Sequence, residues 1–226
     1  LGIPAEPLFR SRSYPRISTL SNDRDGFNRS VNDQIYLILL VIGPLVAAFL
    51  TFSDQILLLL YSDKFVGAGL LMSLCMIGVI FEAPSWCMGY VFLAKGDNKA
   101  YLIYETITKV QKIATDIICY YIWGLTGLGI SFILSYVYYM LQCIFLCKKR
   151  YDLKLNKSVL IMLIVYFLVS VFLLCIFKYS NNWIHITVGS LVLIIACLFS
   201  FKRLNSIVNV VSVFKNRISR IKNKNE

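Results

Sequence analysis

Four ionisable side chains recur at helical spacing inside the largely apolar stretch 100–123. They are Glu105, Lys109, Lys112 and Asp116. At roughly 100° per residue they fall on one narrow stripe of a helix, about 16 Å long. Opposite charges at i,i+4 can pair with each other. Lysines in such a stripe can also attract an anionic substrate, while the carboxylates adjust them or relay protons. The stripe therefore allows two interpretations, a seam that cements a helix bundle or a binding site for an anion.

The chain around this stripe has the composition of a membrane protein. Of its 226 residues, 58% are hydrophobic and 15% are charged, and the mean hydropathy is +0.70. Soluble domains contain about 45–50% apolar and about 25% charged residues. This composition excludes a soluble enzyme, a disulfide-rich secreted module and a disordered chain. A charge at mid-bilayer costs at least about 2.5–3.5 kcal/mol, so the stripe must face protein or a water-filled cavity.

Six membrane-spanning helices are predicted, so the expected fold class is an all-α polytopic transmembrane bundle. Gly43-Pro44 predicts a kink in the first helix, and Glu82-Ala83-Pro84 predicts a tilted or broken second helix. A tight turn is expected at 124–129 and a basic loop at 148–157. The predicted spans are 34–52, 66–94, 100–123, 130–146, 158–177 and 183–201.

The distribution of lysine and arginine predicts the topology. Nineteen of them fall in the segments 1–33, 95–99, 148–157 and 202–226, and only two fall in the alternate loops. Cytoplasmic loops carry such an excess, so both termini are expected to be cytoplasmic in a multi-pass protein of a bacterial cytoplasmic membrane. Topology then explains the net charge of +11, and no nucleic-acid partner is expected.

Three domains are expected from this topology. A cytoplasmic basic segment with the end of a preceding helix occupies 1–33, and a six-helix transmembrane lobe occupies 34–201. The tail 202–226 is basic, and its apolar residues recur at steps of three and four. That pattern is typical of an amphipathic helix on the anionic inner leaflet, although a partner-binding helix or simple topological anchoring would carry it too.

A few other side chains outside the stripe could carry chemistry. Glu82 is a second intramembrane carboxylate. Like Asp116, it could couple transport to a proton or cation, or it could bond a backbone group that Pro84 leaves free. His185 is expected to be an interfacial side chain at the outer end of the sixth span. All seven cysteines lie in apolar runs without a C-x-x-C motif, which indicates reduced thiols.

The motifs of nucleotide-binding loops, metalloproteases and serine hydrolases do not occur in the sequence. The sequence therefore predicts no catalytic residues, no metal and no cofactor, and a protein that is not an enzyme. Any transport would not be powered by ATP bound to this chain.

Several short motifs occur in a fixed order along residues 10–150. They are Pro15-Arg16-Ile17-Ser18-x-Leu20, Asn32, Gly43-Pro44, Ile56-Leu57-x-Leu59-Leu60-Tyr61-Ser62-x-x-Phe65, Phe92-Leu93-Ala94-Lys95-Gly96-Asp97-x-Lys99 and Gly124-x-x-Gly127-x-Gly129. The series resembles the C-terminal half of the O-antigen and polysaccharide flippases, which belong to the multidrug/oligosaccharidyl-lipid/polysaccharide exporter superfamily.

The resemblance implies a two-lobed bundle of roughly 12–14 helices that alternates between inward- and outward-facing states around a cationic cavity. Its substrate would be an undecaprenyl-diphosphate-linked oligosaccharide, moved from the inner to the outer leaflet of the bilayer. Lys109 and Lys112 are the expected substrate-binding residues, with Glu105 and Asp116 beside them, because two lysines suit a diphosphate. Six crossings make one lobe, so an N-terminal lobe would be a further partner, and the chain alone is not expected to transport.

Other functions stay open at this point. A multidrug or lipid II exporter of the same superfamily is one alternative, although a drug exporter would favour carboxylates and aromatic rings over paired lysines. A membrane polysaccharide polymerase or ligase is another, but it would need a large outer loop, and the predicted outer loops are short. A structural membrane scaffold remains if the charged stripe proves to be buried in closed pairs.

Overall fold

The computed structural model describes residues 24–60, 68–179 and 182–208, and this part of the chain is helical with no strand. The all-α fold class is therefore confirmed. The helices are α1 (Arg24–Thr51), α2 (Ser53–Leu60), α3 (Gly69–Ala94), α4 (Asn98–Tyr151), α5 (Lys157–Tyr179) and α6 (Asn182–Val208). The part of the predicted amphipathic tail beyond residue 208 lies outside the described residues.

Five of these helices are long and apolar enough to cross a membrane, namely all except α2. The apolar side chains on the outside of the bundle fit this environment. Isoleucine, leucine and aromatic residues are exposed along α4, α5 and α6, for example Ile117, Leu168 and Leu198. A soluble protein would expose polar groups at such a density of positions, whereas acyl chains solvate apolar ones. The protein is therefore a multi-pass membrane protein.

Helix α4 is a hairpin of two antiparallel arms, 98–123 and 125–151. Gly124 has φ 59° and ψ −136°, a conformation that a side chain strongly disfavours, and the chain reverses there. Side chains 34 residues apart consequently meet across the arms, as Glu105 and Tyr139 do. The two arms supply the third and fourth of the six predicted crossings. The predicted turn at 124–129 is wrong in length, because residues 125–129 are already helical.

The end of the second arm is bonded to the short segment that joins α3 to α4 and precedes the first arm. Both Arg150 and Tyr151 donate hydrogen bonds to the Asp97 carboxylate. Desolvation alone would raise the pKa of Asp97, but these hydrogen bonds and the guanidinium charge outweigh it and lower the pKa. Lys148, Lys149 and Arg150 form the last turn of α4, so the predicted basic loop is confined to residues 152–156.

The centre of the bundle is formed by α1 and α3. Helix α3 packs against α4 on one side and α1 on the other, and α1 also packs against α5 and α6. A Cβ atom at Gly129 would lie 2.8 Å from the Cβ atom of Leu74, so the absence of a side chain lets the second arm of α4 approach α3 closely. Nearly all of the largest fully buried side chains lie on α1 and α3, for example Leu39, Leu50, Ile80 and Phe92.

The start of the first helix and the break considered in the second span differ from the structure. Helix α1 starts at Arg24, ten residues before the predicted start, because 24–33 continues the helix despite its polarity. Both α1 and α3 continue through their prolines, Pro44 and Pro84. The break considered for the second span is therefore absent. A proline deprives a helix of one hydrogen bond, and burial of most of α3 compensates for that loss.

One asparagine attaches the segment 152–156 to α1. The Asn32 side chain is buried, and its amide group donates to the carbonyl oxygen of Lys154 at 2.8 Å. Its Oδ1 atom accepts from the backbone N–H of Asn156 at 2.7 Å. One turn earlier, Asn28 makes a similar but longer pair of bonds, at 3.5 and 3.4 Å. The Asn156 carbonyl accepts from Val159 at the start of α5, so Asn32 helps to fix where α5 begins.

Replacing Asn32 by Asp should destabilise the protein by about 1–3 kcal/mol, because a carboxylate oxygen would face the Lys154 carbonyl with no donor between them. The measurement is the free energy of unfolding in detergent. The matched control is Asn28→Asp, where the bonds are long and exposed, and its loss should be below about 0.5 kcal/mol. Equal losses in the two variants would contradict the role given to Asn32.

Candidate functional site

The predicted charged stripe lies in the interface between the two arms of α4. We call this interface the polar seam. It contains polar side chains from both arms, with the apolar residues of the first arm facing outward. Its members are Glu105, Thr108, Lys109, Lys112 and Asp116 on the first arm, and Ser131, Tyr139 and Gln142 on the second.

At one end of the seam, Glu105 is bonded to both arms. The Tyr139 hydroxyl donates to Oε1 of Glu105 at 2.5 Å, and Nζ of Lys109 lies 3.8 Å from Oε2. Only 20% of the Glu105 side chain is exposed, against 65% of the Lys109 side chain. Lys109 therefore has its ammonium group on the open side of the seam, whereas the carboxylate lies inside it.

At the other end, Lys112 and Asp116 form a more enclosed pair. Their charged atoms are 3.3 Å apart, and 24% and 26% of the two side chains are exposed. The Ser131 hydroxyl donates to the second carboxylate oxygen at 2.6 Å. Nζ of Lys112 also lies 4.6 Å from the ring centre of Phe132 and 5.8 Å from that of Tyr136, within the range of cation–π attraction.

Neutral hydrogen bonds join the two charged ends. The Thr108 hydroxyl lies 2.8 Å from the Gln142 side-chain carbonyl, and the amide of Gln142 donates to the Tyr104 carbonyl. Within the first arm, Gln111 donates to the Thr115 hydroxyl at 2.7 Å. These bonds hold the two arms in register and keep the seam polar along its length.

Glu82 lies on α3, and its carboxyl group is near enough to the Tyr136 hydroxyl of the second arm to interact with it electrostatically. Since the Tyr136 ring also faces Lys112, the structure connects Glu82 to the enclosed end of the seam. The sequence alone did not connect Glu82 to the stripe, and it did not reveal Tyr136, Ser131 or the pairing of Tyr139 with Glu105. The signal that could have found them is the spacing of Ser131, Ser135, Tyr139 and Gln142, which lie on one face of the following helix.

A cavity of about 810 Å³ lies elsewhere, between α1, α5 and α6. It has polar groups from Asn32, Asn156 and Arg203 in its wall, and an apolar lining that includes Met162 and Phe199. No residue of the polar seam lines it. The expected aqueous hollow around the lysines is thus not this cavity, and at the seam itself Lys109 is the charged side chain that is mostly exposed. No motif in the sequence pointed to the cavity.

Some of the other predicted residues have simple surroundings. His185 is buried rather than interfacial, with its ring centre 5.1 Å from that of Phe177. Nearby, outside the long helices, burial raises the pKa of the Asp54 carboxyl, and His185 partly offsets this. All seven cysteines are free thiols. The described residues contain no cluster of three or more side chains that could hold a metal ion.

Removing the enclosed cation of the seam should cost more stability than removing the open one. Lys112→Met leaves the Asp116 carboxylate partly buried without its cation and should cost about 1–3 kcal/mol. The control is Lys109→Met, which should change the free energy of unfolding by less than about 0.5 kcal/mol because this ammonium is mostly exposed. Unfolding in detergent measures both. A larger loss for Lys109→Met would contradict the geometry of the seam.

Comparison with known proteins gives a family. The model of the family described as lipid II flippase MurJ matches residues 13–199, which is most of the chain. No curated protein and no solved structure gives a significant match. The matched family is one of flippases rather than enzymes, and it lies within the exporter superfamily that the sequence motifs resemble. The chain therefore belongs to the lipid II flippase MurJ family.

Proposed function

We propose that this chain forms part of a flippase for lipid II, the undecaprenyl-diphosphate-linked precursor of the cell wall. The observation that carries the proposal is the family match over residues 13–199. It favours the lipid II alternative over the O-antigen or polysaccharide repeat unit that the motifs alone suggested. Both substrates share a polyprenyl tail and a diphosphate, so the same polar seam would serve either of them.

The polar seam supplies the groups that a diphosphate requires. Lys109 and Lys112 lie within a membrane-spanning hairpin, and both are at least partly exposed. A lysine in this position is costly unless an anion or water reaches it. A bundle that needed only cohesion would use small or hydroxyl side chains. The polar seam, with its two lysines and with Glu105 and Asp116, is therefore proposed to be the headgroup site.

The cavity between α1, α5 and α6 is proposed to hold part of the polyprenyl tail. Most of its wall is apolar. Its charged and amide side chains come from the first half of α1, the residue before α5 and the last two turns of α6, and they are Asn32, Asp33, Asn156 and Arg203. An apolar volume at membrane depth with polar groups at one end suits a chain that joins a charged headgroup. Because α1 and α3 separate the cavity from the seam, tail and headgroup would contact different faces of the bundle.

Glu82 and Asp116 are proposed as the groups that couple transport to a proton or cation gradient. Tyr136 interacts electrostatically with Glu82, and its ring faces the Lys112 that pairs with Asp116. A change in the charge of either carboxylate would therefore alter the surroundings of Lys112. Such a link between titratable groups and a binding lysine is what ion-driven transport needs.

The protein is proposed to lie in the bacterial cytoplasmic membrane with both termini in the cytoplasm. One end of the bundle carries many cations, at the ends of α1, α3, α4, α5 and α6, which the positive-inside rule places in the cytoplasm. These cations are Arg29, Lys95, Lys99, Lys148, Lys149, Arg150, Lys154, Lys157, Lys202 and Arg203.

A second lobe, expected from the resemblance, would complete the transport path and cover the open side of the seam.

A competition experiment tests the choice of substrate. The chain in phosphatidylcholine nanodiscs is incubated with fluorescent undecaprenyl diphosphate, and unlabelled lipid II or an undecaprenyl-diphosphate-linked oligosaccharide without peptide is added. Lipid II should displace the probe at about tenfold lower concentration, the ratio that about 1.4 kcal/mol of extra headgroup contacts would give. Tighter binding of the peptide-free oligosaccharide would contradict the proposal and favour the O-antigen alternative.

A further inference from the structure

The two lysines of the polar seam are held in different ways. The Lys112 ammonium lies against Asp116 at 3.3 Å and against the rings of Phe132 and Tyr136. The Lys109 ammonium has one charged neighbour, Glu105, at 3.8 Å, and 65% of its side chain is exposed. An incoming anion would have to displace one carboxylate and two aromatic rings to reach the Lys112 ammonium, but only one carboxylate to reach the Lys109 ammonium.

The contact between Glu105 and Lys109 is loose because Glu105 is restrained from the other side. Charge-assisted N–H···O bonds are usually about 2.7–2.9 Å long. The 3.8 Å separation here is well beyond that range, whereas Tyr139 holds the other carboxylate oxygen at 2.5 Å. Tyr139 is itself buried on the second arm, so it keeps the carboxylate inside the seam.

We infer that Glu105 is an internal competitor for Lys109, restrained by Tyr139, and that Lys109 alone of the two lysines directly contacts an anionic headgroup. This inference rests on the proposed function, in which the seam binds a diphosphate. The charges of Glu105, Lys109, Lys112 and Asp116 sum to zero, so an anion gains a cation only by displacing a carboxylate. Glu105 is the carboxylate with the weaker hold on its lysine. Tyr139 is a positioning residue, because it acts on the ligand only through Glu105.

The inference predicts the direction of four substitutions. Glu105→Gln removes the competing charge and should tighten anion binding by about threefold, the factor that corresponds to a partly exposed ion pair. Lys109→Gln should weaken binding by about tenfold, as expected for the loss of one charge-assisted hydrogen bond. Lys112→Gln should weaken binding less, by about threefold, because Lys112 does not touch the anion and only offsets the charge of Asp116. Tyr139→Phe frees the carboxylate to approach Lys109 and should weaken binding by about twofold.

The experiment measures the Kd of undecaprenyl diphosphate for the full chain in phosphatidylcholine nanodiscs. Undecaprenol, which lacks the phosphates, is the uncharged ligand, and its Kd should be the same for all variants. Asp25→Asn controls for the change in net charge, because Asp25 is an exposed carboxylate at the start of α1, far along the chain from the seam. This control should bind like the wild type.

A double-mutant cycle separates positioning from general damage to the fold. Since Tyr139 acts through Glu105, Tyr139→Phe should have no effect on Kd in the Glu105→Gln background. A Tyr139→Phe effect of equal size in both backgrounds would contradict the positioning role. The inference would be overturned if Glu105→Gln bound undecaprenyl diphosphate no more tightly than the wild type, or if it bound undecaprenol more tightly by the same factor. Either result would leave the proposed function intact. Failure of both wild type and Glu105→Gln to bind undecaprenyl diphosphate would instead contradict the proposed function.

Discussion

The placement of charge within an apolar bilayer is the constraint on which this structure depends. The first arm of α4 carries four ionised side chains that cannot face acyl chains. The hairpin at Gly124 folds the second arm back so that its hydroxyl groups meet both carboxylates. The apolar residues of the first arm then face outward, as a bilayer requires. The polar seam is thus a consequence of membrane physics before it is a candidate for any function.

Pairing within the seam is incomplete, which the proposed binding role requires and a purely structural contact does not. A closed seam would pair all four charges at short distances and cover them, as happens in part for Lys112 and Asp116. At the other end, Glu105 is bonded to Tyr139 while Lys109 stays largely exposed. The account therefore gives the two halves different roles, one that holds the arms together and one that offers a cation. The membrane-scaffold alternative requires both ends to be closed.

The larger features of the fold could be predicted from the sequence, because the length of apolar runs and the positions of glycines are strong local signals. The five long apolar helices follow from apolar runs, and the reversal at Gly124 follows from a glycine in a backbone conformation that other residues avoid. The stripe followed from spacing alone. Helix ends were predicted less well, because 24–33 and 148–151 are polar yet helical, held by tertiary contacts such as those of Asn32 and Asp97. The spacing of polar residues in the second arm marks Tyr139, but its pairing with Glu105 depends on how distant segments pack. The same holds for Tyr136 and for the cavity between α1, α5 and α6, which no local pattern encodes. The motifs alone suggested an O-antigen or polysaccharide substrate. Flippases for O-antigen and for lipid II share these motifs, and both substrates carry a diphosphate, so the family match was needed to favour lipid II.

The central claim is that water reaches the Lys109 end of the polar seam, and labelling with a water-soluble reagent tests it most directly. In a background whose seven cysteines are replaced, Lys109→Cys and Val110→Cys are treated in membranes with a membrane-impermeant thiol reagent. Both positions are exposed on the chain, at 65% of the Lys109 side chain and 63% of Val110, but only Lys109 belongs to the seam. The account predicts rapid labelling of the Lys109→Cys variant and little labelling of Val110→Cys, which faces lipid. Equal resistance of the two variants to the reagent would contradict it.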